Sequence, residues 1–365
     1  MRRSAFVHLA AFVVALLVFG SSVFAADLRV SGPIVHDNLA IYLLHGPAAG
    51  NVTPVTIPVT TPVTLQEALA KGSVRVDETG SVNELTVENL GGEEVFVQAG
   101  DIVKGGRQDR VLSVDLLLPP HSGRVSIAAF CVEHGRWSGR GDEDAASFSS
   151  APNAMPSQEA KLAMRAYANA AAPKAVGPGV AAHAAAADTG QSQQTIWSTV
   201  RKMQDRLAHS VGAPVAAPAS PSSLQLSLEN EELKQAQADY IKALQDAGEA
   251  DTDVVGYVYA INGKTNGGDV YASNALFRKM WRKQLAANVT EAISKRDAAV
   301  APSPPAPAPA VKDVQTFLAT AEAGTKTERA INASVGLATL DRDTSLYAEV
   351  HRTDGSWVHR NYLAK

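Results

Sequence analysis

This chain of 365 residues contains a single cysteine, Cys131. One cysteine cannot form an intrachain disulfide, so the folded protein must be held together by hydrophobic cores rather than by covalent cross-links. An excess of basic residues is also missing, because 33 Lys and Arg stand against 37 Asp and Glu, for a net charge of −4. Nucleic-acid binding needs cations clustered on one face, and no such stripe is present, so we expect no nucleic-acid partner.

Several catalytic and metal-binding signatures are absent as well. The chain has no Gly-x-x-x-x-Gly-Lys-Ser/Thr loop, no Gly-x-Ser-x-Gly elbow, no Cys-x-x-Cys and no His-x-His or His-Glu-x-x-His. Its nine histidines are scattered along the chain. These absences disfavour a conventional serine-hydrolase or metal site, and the sequence identifies no cofactor.

The longest apolar run is confined to the N-terminus. Arg2 and Arg3 precede the run Ala5–Gly20, and the small residues that follow it end at Ala25. This order predicts a secretory signal peptide over residues 1–25 that is cleaved near Ala25, and hence an exported, periplasmic or extracellular protein. No later stretch reaches the roughly 20 apolar residues that a membrane-spanning helix needs, so we expect none in the mature chain.

The mature chain is predicted to have an α+β fold. Residues 26–140 contain Val-, Ile- and Leu-rich runs separated by turn signals, which indicates a β-rich domain, an antiparallel sheet or sandwich. Residues 141–157 are polar and small, which is typical of a linker. Residues 158–300 have helical spacing, with a short strand and turn at 253–270. A Pro/Ala-rich linker at 301–311 precedes a C-terminal helix and β-hairpin over 312–365.

Local signals predict where individual elements begin and turn. Thr64 followed by Glu67 three residues later is a capping box, so a short helix should begin there. Ser273 should cap a later helix, and the final β-hairpin should turn at Asp354-Gly355.

The stretch GDIVKGGRQDRVLSVDLLL predicts a hairpin with an unusually polar tip. A two-residue turn at Gly105-Gly106 would place Asp101 opposite Arg110, where a cross-strand ion pair is favourable. The same register places Lys104 opposite Arg107, which is unfavourable unless an anion lies between them. Two cations beside free turn amides would suit a phosphate or a carboxylate, whereas the alternative is a merely solvated turn.

The stretch SIAAFCVEHGRW is the second polar motif at the end of an apolar strand. Alternation places Cys131 and Glu133 on one side of the strand and His134 on the other. Cys131 is therefore interpreted as a small buried residue rather than a nucleophile, because its nearest base faces away. Arg136 is placed to clamp Glu133, and Trp137 to cover that pair or to stack on a ring.

These motifs resemble those of the ARPP domain family, the ADP-ribosylglycohydrolase-and-rhodanese-phosphatase-superfamily-associated proteins. The similar strings are LQEALAKGSVRVDETGSVNELTVENL, GDIVKGGRQDR, CVEHGRW, SQQTIW and GYVYAINGK with ALFRKMWRKQL, so the resemblance extends over most of the mature chain. The residues that match the family pattern are Gly100, Asp101, Gly106, Gln108, Arg110, Cys131, Glu133, Gly135, Arg136 and Trp137. Asp109 stands where many relatives have Asn. The resemblance implies a nucleotide-like or phosphorylated ligand, whereas export argues against ADP-ribose, which is expected inside cells.

The leading hypothesis is an exported module that binds a small anionic ligand or a protein partner through these two motifs. The predicted ligand-binding residues are Lys104, Arg107, Gln108, Arg110, Arg136 and Trp137. The predicted structural residues are Gly100, Gly105, Gly106, Cys131 and Gly135. One alternative is a hydrolase with Glu133 and Asp101 as acid and base, which requires both carboxyl groups in one cleft within about 10 Å. The other is an envelope scaffold protein in which the motif residues are buried and pair only with one another.

Overall fold

The computed structural model describes residues 28–46, 60–170, 178–296, 306–332 and 335–365. The predicted signal peptide, residues 1–25, lies outside the described residues. The fold is α+β and β-rich, with helices in the middle of the chain and a β-hairpin at its end, as predicted.

Strands and helices follow one another along the chain without a regular alternation. The strands are β1 Arg29–His36, β2 Leu39–His45, β3 Val63–Thr64, β4 Val74–Glu78, β5 Glu84–Asn89, β6 Val95–Val97, β7 Asp101–Gly105, β8 Arg110–Leu112, β9 Leu116–Leu118, β10 Gly123–Cys131, β11 Phe148–Ala154, β12 Val254–Ile261, β13 Lys264–Tyr271, β14 Thr327–Ala330, β15 Val335–Asp341, β16 Ser345–Arg352 and β17 Trp357–Ala364. The helices are α1 Leu65–Ala70, α2 Gln158–Ala170, α3 Pro178–Val211, α4 Leu224–Leu228, α5 Glu231–Leu244, α6 Ala247–Ala250, α7 Asn274–Ser294 and α8 Val311–Glu322.

An eight-stranded antiparallel sheet joins the two ends of the chain, in the order β1-β2-β12-β13-β17-β16-β15-β14. Its faces are both covered. Apolar residues of α8 pack on one face with Tyr42 and Tyr347, and those of α5 and α7 pack on the other with Tyr257. Because β2 pairs with β12, the boundary predicted at residue 140 does not separate one sheet from another.

A six-stranded sheet, in the order β11-β7-β8-β10-β5-β4, curls into a nearly closed barrel. Its edge strands meet at the Asp77–Ser147 bridge, where the Glu78 amide donates to the Ala146 carbonyl at 3.0 Å. Valine and leucine side chains fill its interior. The linker predicted at 141–157 is wrong in part, because β11 pairs with β7 and buries Phe148. A third sheet contains β3, β6 and β9.

The local predictions are confirmed where neighbouring residues decide the structure. The Thr64 side chain accepts a hydrogen bond from the Glu67 amide, and the Glu67 carboxylate accepts one from the Thr64 amide, which completes the capping box of α1. The Ser273 hydroxyl caps α7, and β16 and β17 form the C-terminal hairpin. Across the described ranges, each helix is too short or too polar to pass through a membrane.

Candidate functional site

The hairpin tip has a different register from the predicted one. Val103 pairs with Arg110 and Ile102 with Val111, so six residues, 104–109, rather than two lie between the last paired positions. The loop widens because the Asp109 carboxylate accepts a hydrogen bond from the Gly105 amide at 3.0 Å, and because the Gly106 amide donates to the carbonyl of Ser147, the residue directly before β11. The predicted pairings of Asp101 with Arg110 and of Lys104 with Arg107 are therefore wrong.

The two polar motifs meet in one cluster at the end of the barrel, which we call the tip network. It comprises Glu78, Gln108, Asp109, Arg110, Glu133, Arg136, Arg140, Ser220 and Ser223. Arg136 holds Glu133 with two hydrogen bonds of 2.7 Å, and Arg140 holds Asp109 at 3.0 and 3.2 Å. Arg110 pairs with Glu78 at 3.2 Å. Each of these three guanidinium groups thus has its own carboxylate.

Hydroxyl and amide groups complete the tip network. Ser220 donates to Glu133, Ser223 donates to Asp109 at 2.7 Å, and the Gln108 amide donates to the Glu133 carbonyl at 2.9 Å. The network therefore ties the β7–β8 loop to the segment that leads into α4. Because Arg110 and Glu133 are fully buried, these side chains organise the structure and do not present an anion clamp at the surface.

The remaining predicted ligand-binding residues lie around this network. Lys104 pairs with Glu229 at 2.8 Å. The Arg107 guanidinium lies 5.3 Å from the centre of the Trp137 ring, and the buried Arg110 lies 5.7 Å from that same ring. Trp137 is 44% exposed, so it covers the Arg110–Glu78 pair with one part of the ring and offers the other to solvent.

The predicted structural residues have backbone or packing reasons for their identity. Positive φ angles occur at Gly100, Gly105, Gly106 and Gly135. A Cβ on Gly106 would lie 2.3 Å from the Phe148 ring and 2.9 Å from the Glu78 carboxylate, so no side chain fits there. Cys131 is buried, and its burial raises the pKa of its thiol to about 11. The thiol is therefore protonated at neutral pH, which is unsuited to nucleophilic chemistry.

Glu133 and Asp101 belong to different clusters. Burial raises the pKa of Glu133, but hydrogen bonds from Arg136 and Ser220 outweigh it and lower the pKa overall. Asp101 instead pairs with Lys283 on α7 and accepts the Gln98 amide at 3.0 Å. Among the described residues the two carboxylates therefore share no hydrogen-bond or ion-pair partner.

Asp101 leads to a second polar cluster, the central network, between the eight-stranded sheet, the barrel and α2. It comprises Gln98, Asp101, Asp115, Arg165, Tyr257, Asp269, Tyr271, Lys283, His359 and Asn361. His359 lies at its centre, with Nδ1 3.1 Å from Asp115 and Nε2 3.0 Å from Asp269. Both ring nitrogens face a carboxylate, which requires the imidazolium form with two N–H donors.

The charges of the central network stabilise one another. Burial lowers the pKa of His359, but the charges and hydrogen bonds of Asp115 and Asp269 outweigh it and raise the pKa to about 9. Burial opposes ionisation of Asp115 too, yet the charges of Arg165 and His359 hold its pKa well below the usual range. The network is therefore ionised at neutral pH although it is buried.

A narrow cavity of about 10 Å³ adjoins this network, and we call it the central cavity. Its lining residues are Gln98, Ala99, Ser113, Lys161, Met164, Arg165, Asp269, Gln284 and Asn361. A space of this size accommodates about one water molecule. Lys161 and Ala99 are its partly exposed members, so they mark its mouth.

Three polar groups that line the central cavity are unpaired. Among the residues that the structure describes, Arg165 Nη1 is buried without a partner. The Gln284 amide and the Lys161 ammonium lie beside it in the lining and make no hydrogen bond with any described residue, although the charge of Lys161 lowers the pKa of Asp269. Arg165 is only 4% exposed and Gln284 only 3%. Buried polar groups in folded proteins are nearly always satisfied, so an unsatisfied guanidinium nitrogen beside a cavity indicates that water or a ligand completes it.

Sequence reasoning found Asp101 but missed the rest of the central network. Its members lie between residues 98 and 361 and come together only through the fold. A signal was present in β17, where His359 and Asn361 alternate with the apolar Val358 and Tyr362. That alternation is typical of a strand with one solvated face, whereas α2 and α7 cover the polar face here.

A possible metal site lies elsewhere. His45, Asp251 and Asp253 are the one group of three potential ligands that converges within the described ranges. Asp253 already pairs with His45 at 2.8 Å and with Arg29 at 3.1 Å, so the carboxylate is neutralised by the chain itself.

A model of one protein family matches residues 27–363, and its description is ARPP-1, the ARG and Rhodanese-Phosphatase-superfamily-associated Protein domain. Searches of curated proteins and of solved structures find no match. The matched range includes both polar motifs and the whole central network.

Proposed function

We propose that this chain, which belongs to the ARPP-1 family, is an exported module that binds a small polar ligand in the central cavity. One observation carries the proposal: the Lys161 ammonium, Arg165 Nη1 and the Gln284 amide line the same cavity without a partner among the described residues. In the tip network, within the described part of the chain, each guanidinium has a carboxylate at ion-pair distance and no cavity is lined by a cation that lacks one, although Arg110 Nε and Glu78 Oε2 are unsatisfied there too.

The energetic argument rests on what unpaired groups cost. A buried donor without an acceptor destabilises the fold by about 1–3 kcal/mol, and a charged donor by more. Arg165 Nη2 donates a hydrogen bond to Asp115 at 3.2 Å, whereas Arg165 Nη1 has no partner beside the cavity. Water or a ligand with acceptor atoms would remove this penalty, and a ligand that does so gains binding free energy.

A thermal-shift screen of the mature protein tests the proposed site. Small carboxylates and inorganic anions are the compounds to add, with sugar phosphates and nucleotides as comparisons that are too large for the cavity. Wild type, Lys161→Gln and Gln284→Leu are measured side by side. Lys202→Gln is the matched control, because Lys202 is an exposed lysine that pairs with Glu159 on the protein surface. We expect a compound that raises the Tm of wild type and control but not of the two cavity variants. A flat screen, or equal shifts in all four proteins, would contradict the proposal.

Export is part of the proposal and has its own test. Residues 1–25 have the order of charges and apolar residues of a secretory signal. Mass spectrometry of the protein recovered from the periplasm or the medium should give a mature chain that begins near Ala26. Recovery only from the cytoplasm, with residues 1–25 retained, would refute export.

Trp137 supports a second candidate function, the binding of a protein partner at the tip. It is a large exposed aromatic side chain beside the Arg107 guanidinium, and tryptophan and arginine are the residues that most often dominate protein interfaces. The tip network holds the loop rigidly behind it. In a pull-down of exported proteins with this protein as bait, Trp137→Ala should abolish capture of the partner without lowering the Tm of the bait. If the variant captures the same partner as wild type, this second function is wrong.

A further inference from the structure

The central cavity presents donors to its occupant. Asp269 is already saturated, because His359, Asn361 and Tyr257 donate to it. Gln98 Oε1 accepts from Tyr271 at 2.9 Å. The groups that remain free are the N–H donors of Lys161 and Arg165 and the amide of Gln284. A ligand that complements this lining must therefore be rich in acceptor atoms.

The charge around the cavity is positive. Lys161, Arg165 and His359 are cationic, whereas Asp115 and Asp269 are the carboxylates in contact with them. Three cations against two carboxylates leave one positive charge in excess, and Asp101 is neutralised separately by Lys283. Arg329 lies near enough to Arg165 for that charge, after the larger effect of burial, to lower its pKa. An excess of one charge favours a monoanion over a neutral molecule.

The volume and the lining of the central cavity restrict the class of ligand further. The free volume of about 10 Å³ is far too small for a nucleotide or a sugar phosphate. The cavity itself holds about one water molecule, so a ligand of a few atoms requires that the partly exposed Lys161 side chain at the mouth turns outward. The buried side chain of Met164, with Ala99, supplies an apolar wall for a short hydrocarbon substituent.

We propose that the ligand of the central cavity is a small monocarboxylate, whose oxygens accept hydrogen bonds from Lys161, Arg165 and Gln284. This inference rests on the proposed function and specifies the ligand class of that site. Two carboxylate oxygens match a guanidinium edge and an ammonium group, and such charge-assisted bonds are short and strong. A tetrahedral phosphate or sulfate has more oxygens than the free donors satisfy and is bulkier.

Isothermal titration of the mature protein at pH 7 tests the ligand class. The probes are sodium formate, acetate and propionate, with sodium phosphate, sodium sulfate and neutral acetamide as comparisons, all at constant ionic strength set with sodium chloride. We expect a carboxylate to bind saturably and at least tenfold more tightly than phosphate, sulfate or acetamide. Lys161→Gln and Gln284→Leu should each weaken that carboxylate at least tenfold, and Lys202→Gln should leave its affinity unchanged.

The outcomes separate the ligand class from the proposed function. If phosphate, sulfate or acetamide binds as tightly as the carboxylates and is lost in Lys161→Gln, the site stands and the ligand class is wrong. If no probe and no compound of the wider screen binds in a way that depends on Lys161 or Gln284, the proposed function itself is wrong. Circular dichroism and the Tm of each variant show whether a loss of binding is a loss of folding.

Discussion

His359 makes the stability of this protein depend on pH in the alkaline range. Its pKa is about 9 in the folded protein against an ordinary 6.5, so the folded state retains the imidazolium proton more tightly than the unfolded chain does. The stabilisation is fully present below pH 6.5, declines as the pH rises, and is lost above pH 9. The difference corresponds to about 3 kcal/mol at 1.36 kcal/mol for each pH unit.

Urea denaturation from pH 6 to pH 10 measures this dependence. The free energy of unfolding of wild type should fall by about 3 kcal/mol between pH 6.5 and pH 9, relative to His359→Asn. His359→Asn keeps one amide donor for a carboxylate but cannot be protonated. Its free energy of unfolding at pH 6 should therefore be lower than that of wild type, and it should change less between pH 6.5 and pH 9. The difference between the two profiles isolates His359 from every other group that titrates in the same range.

Proton NMR of the wild-type imidazole supplies an independent readout that does not require the variant to fold. The His359 ring signal should titrate near pH 9, because two carboxylates hold the proton. A titration near pH 6.5, or parallel stability profiles for wild type and His359→Asn, would refute the charge assignment of the central network.

Three further predictions concern the tip network. Gly106→Ala should lower the free energy of unfolding by about 2 kcal/mol or more, because the new Cβ overlaps the Phe148 ring and φ is +56°; a change below about 0.5 kcal/mol in urea titration would contradict the packing. Glu133→Gln should cost about 1–3 kcal/mol, since it removes the nearer carboxylate of Arg136 and leaves only Asp109, at 3.7 Å, and a variant as stable as wild type would show the pair to be dispensable. Cys131 is fully buried and its thiol has a raised pKa, so a thiol reagent at pH 7 should label it only when urea unfolds the chain; rapid labelling of the native protein would place the thiol at the surface.

Local structure was predictable from the sequence because its causes are local. The capping box of Thr64 and Glu67, the Ser273 cap and the C-terminal hairpin all depend on residues within a few positions of one another. The tip register was not predictable, because the Gly106 amide donates to Ser147, directly before β11, and the sequence of that strand is typical of a polar linker. Pairing with β11, rather than the chemistry of the turn, decides the length of that loop.

The part of the candidate site whose residues are close in sequence was also predictable. Cys131, Glu133 and Arg136 were recognisable as a group because they are close in sequence, and the structure shows that their role is internal. His359 and Asp269 were missed because polar residues that alternate along a strand indicate a solvated face. In this fold both faces of the central strands are covered, so the same pattern produces a buried charged network.

The comparison of the two networks explains why binding is assigned to one and not to the other. Both are buried and ionised, so burial and perturbed pKa values alone do not distinguish a structural cluster from a functional one. In the tip network the guanidinium groups of Arg110, Arg136 and Arg140 each pair with a carboxylate of the chain. Beside the central network, Lys161 and one nitrogen of Arg165 have no such counterpart among the described residues. Single unsatisfied atoms do not distinguish the two networks, because Arg110 Nε and Glu78 Oε2 of the tip network also lack partners. The distinction rests on Lys161, whose ammonium lines a cavity and has no carboxylate at ion-pair distance among the described residues.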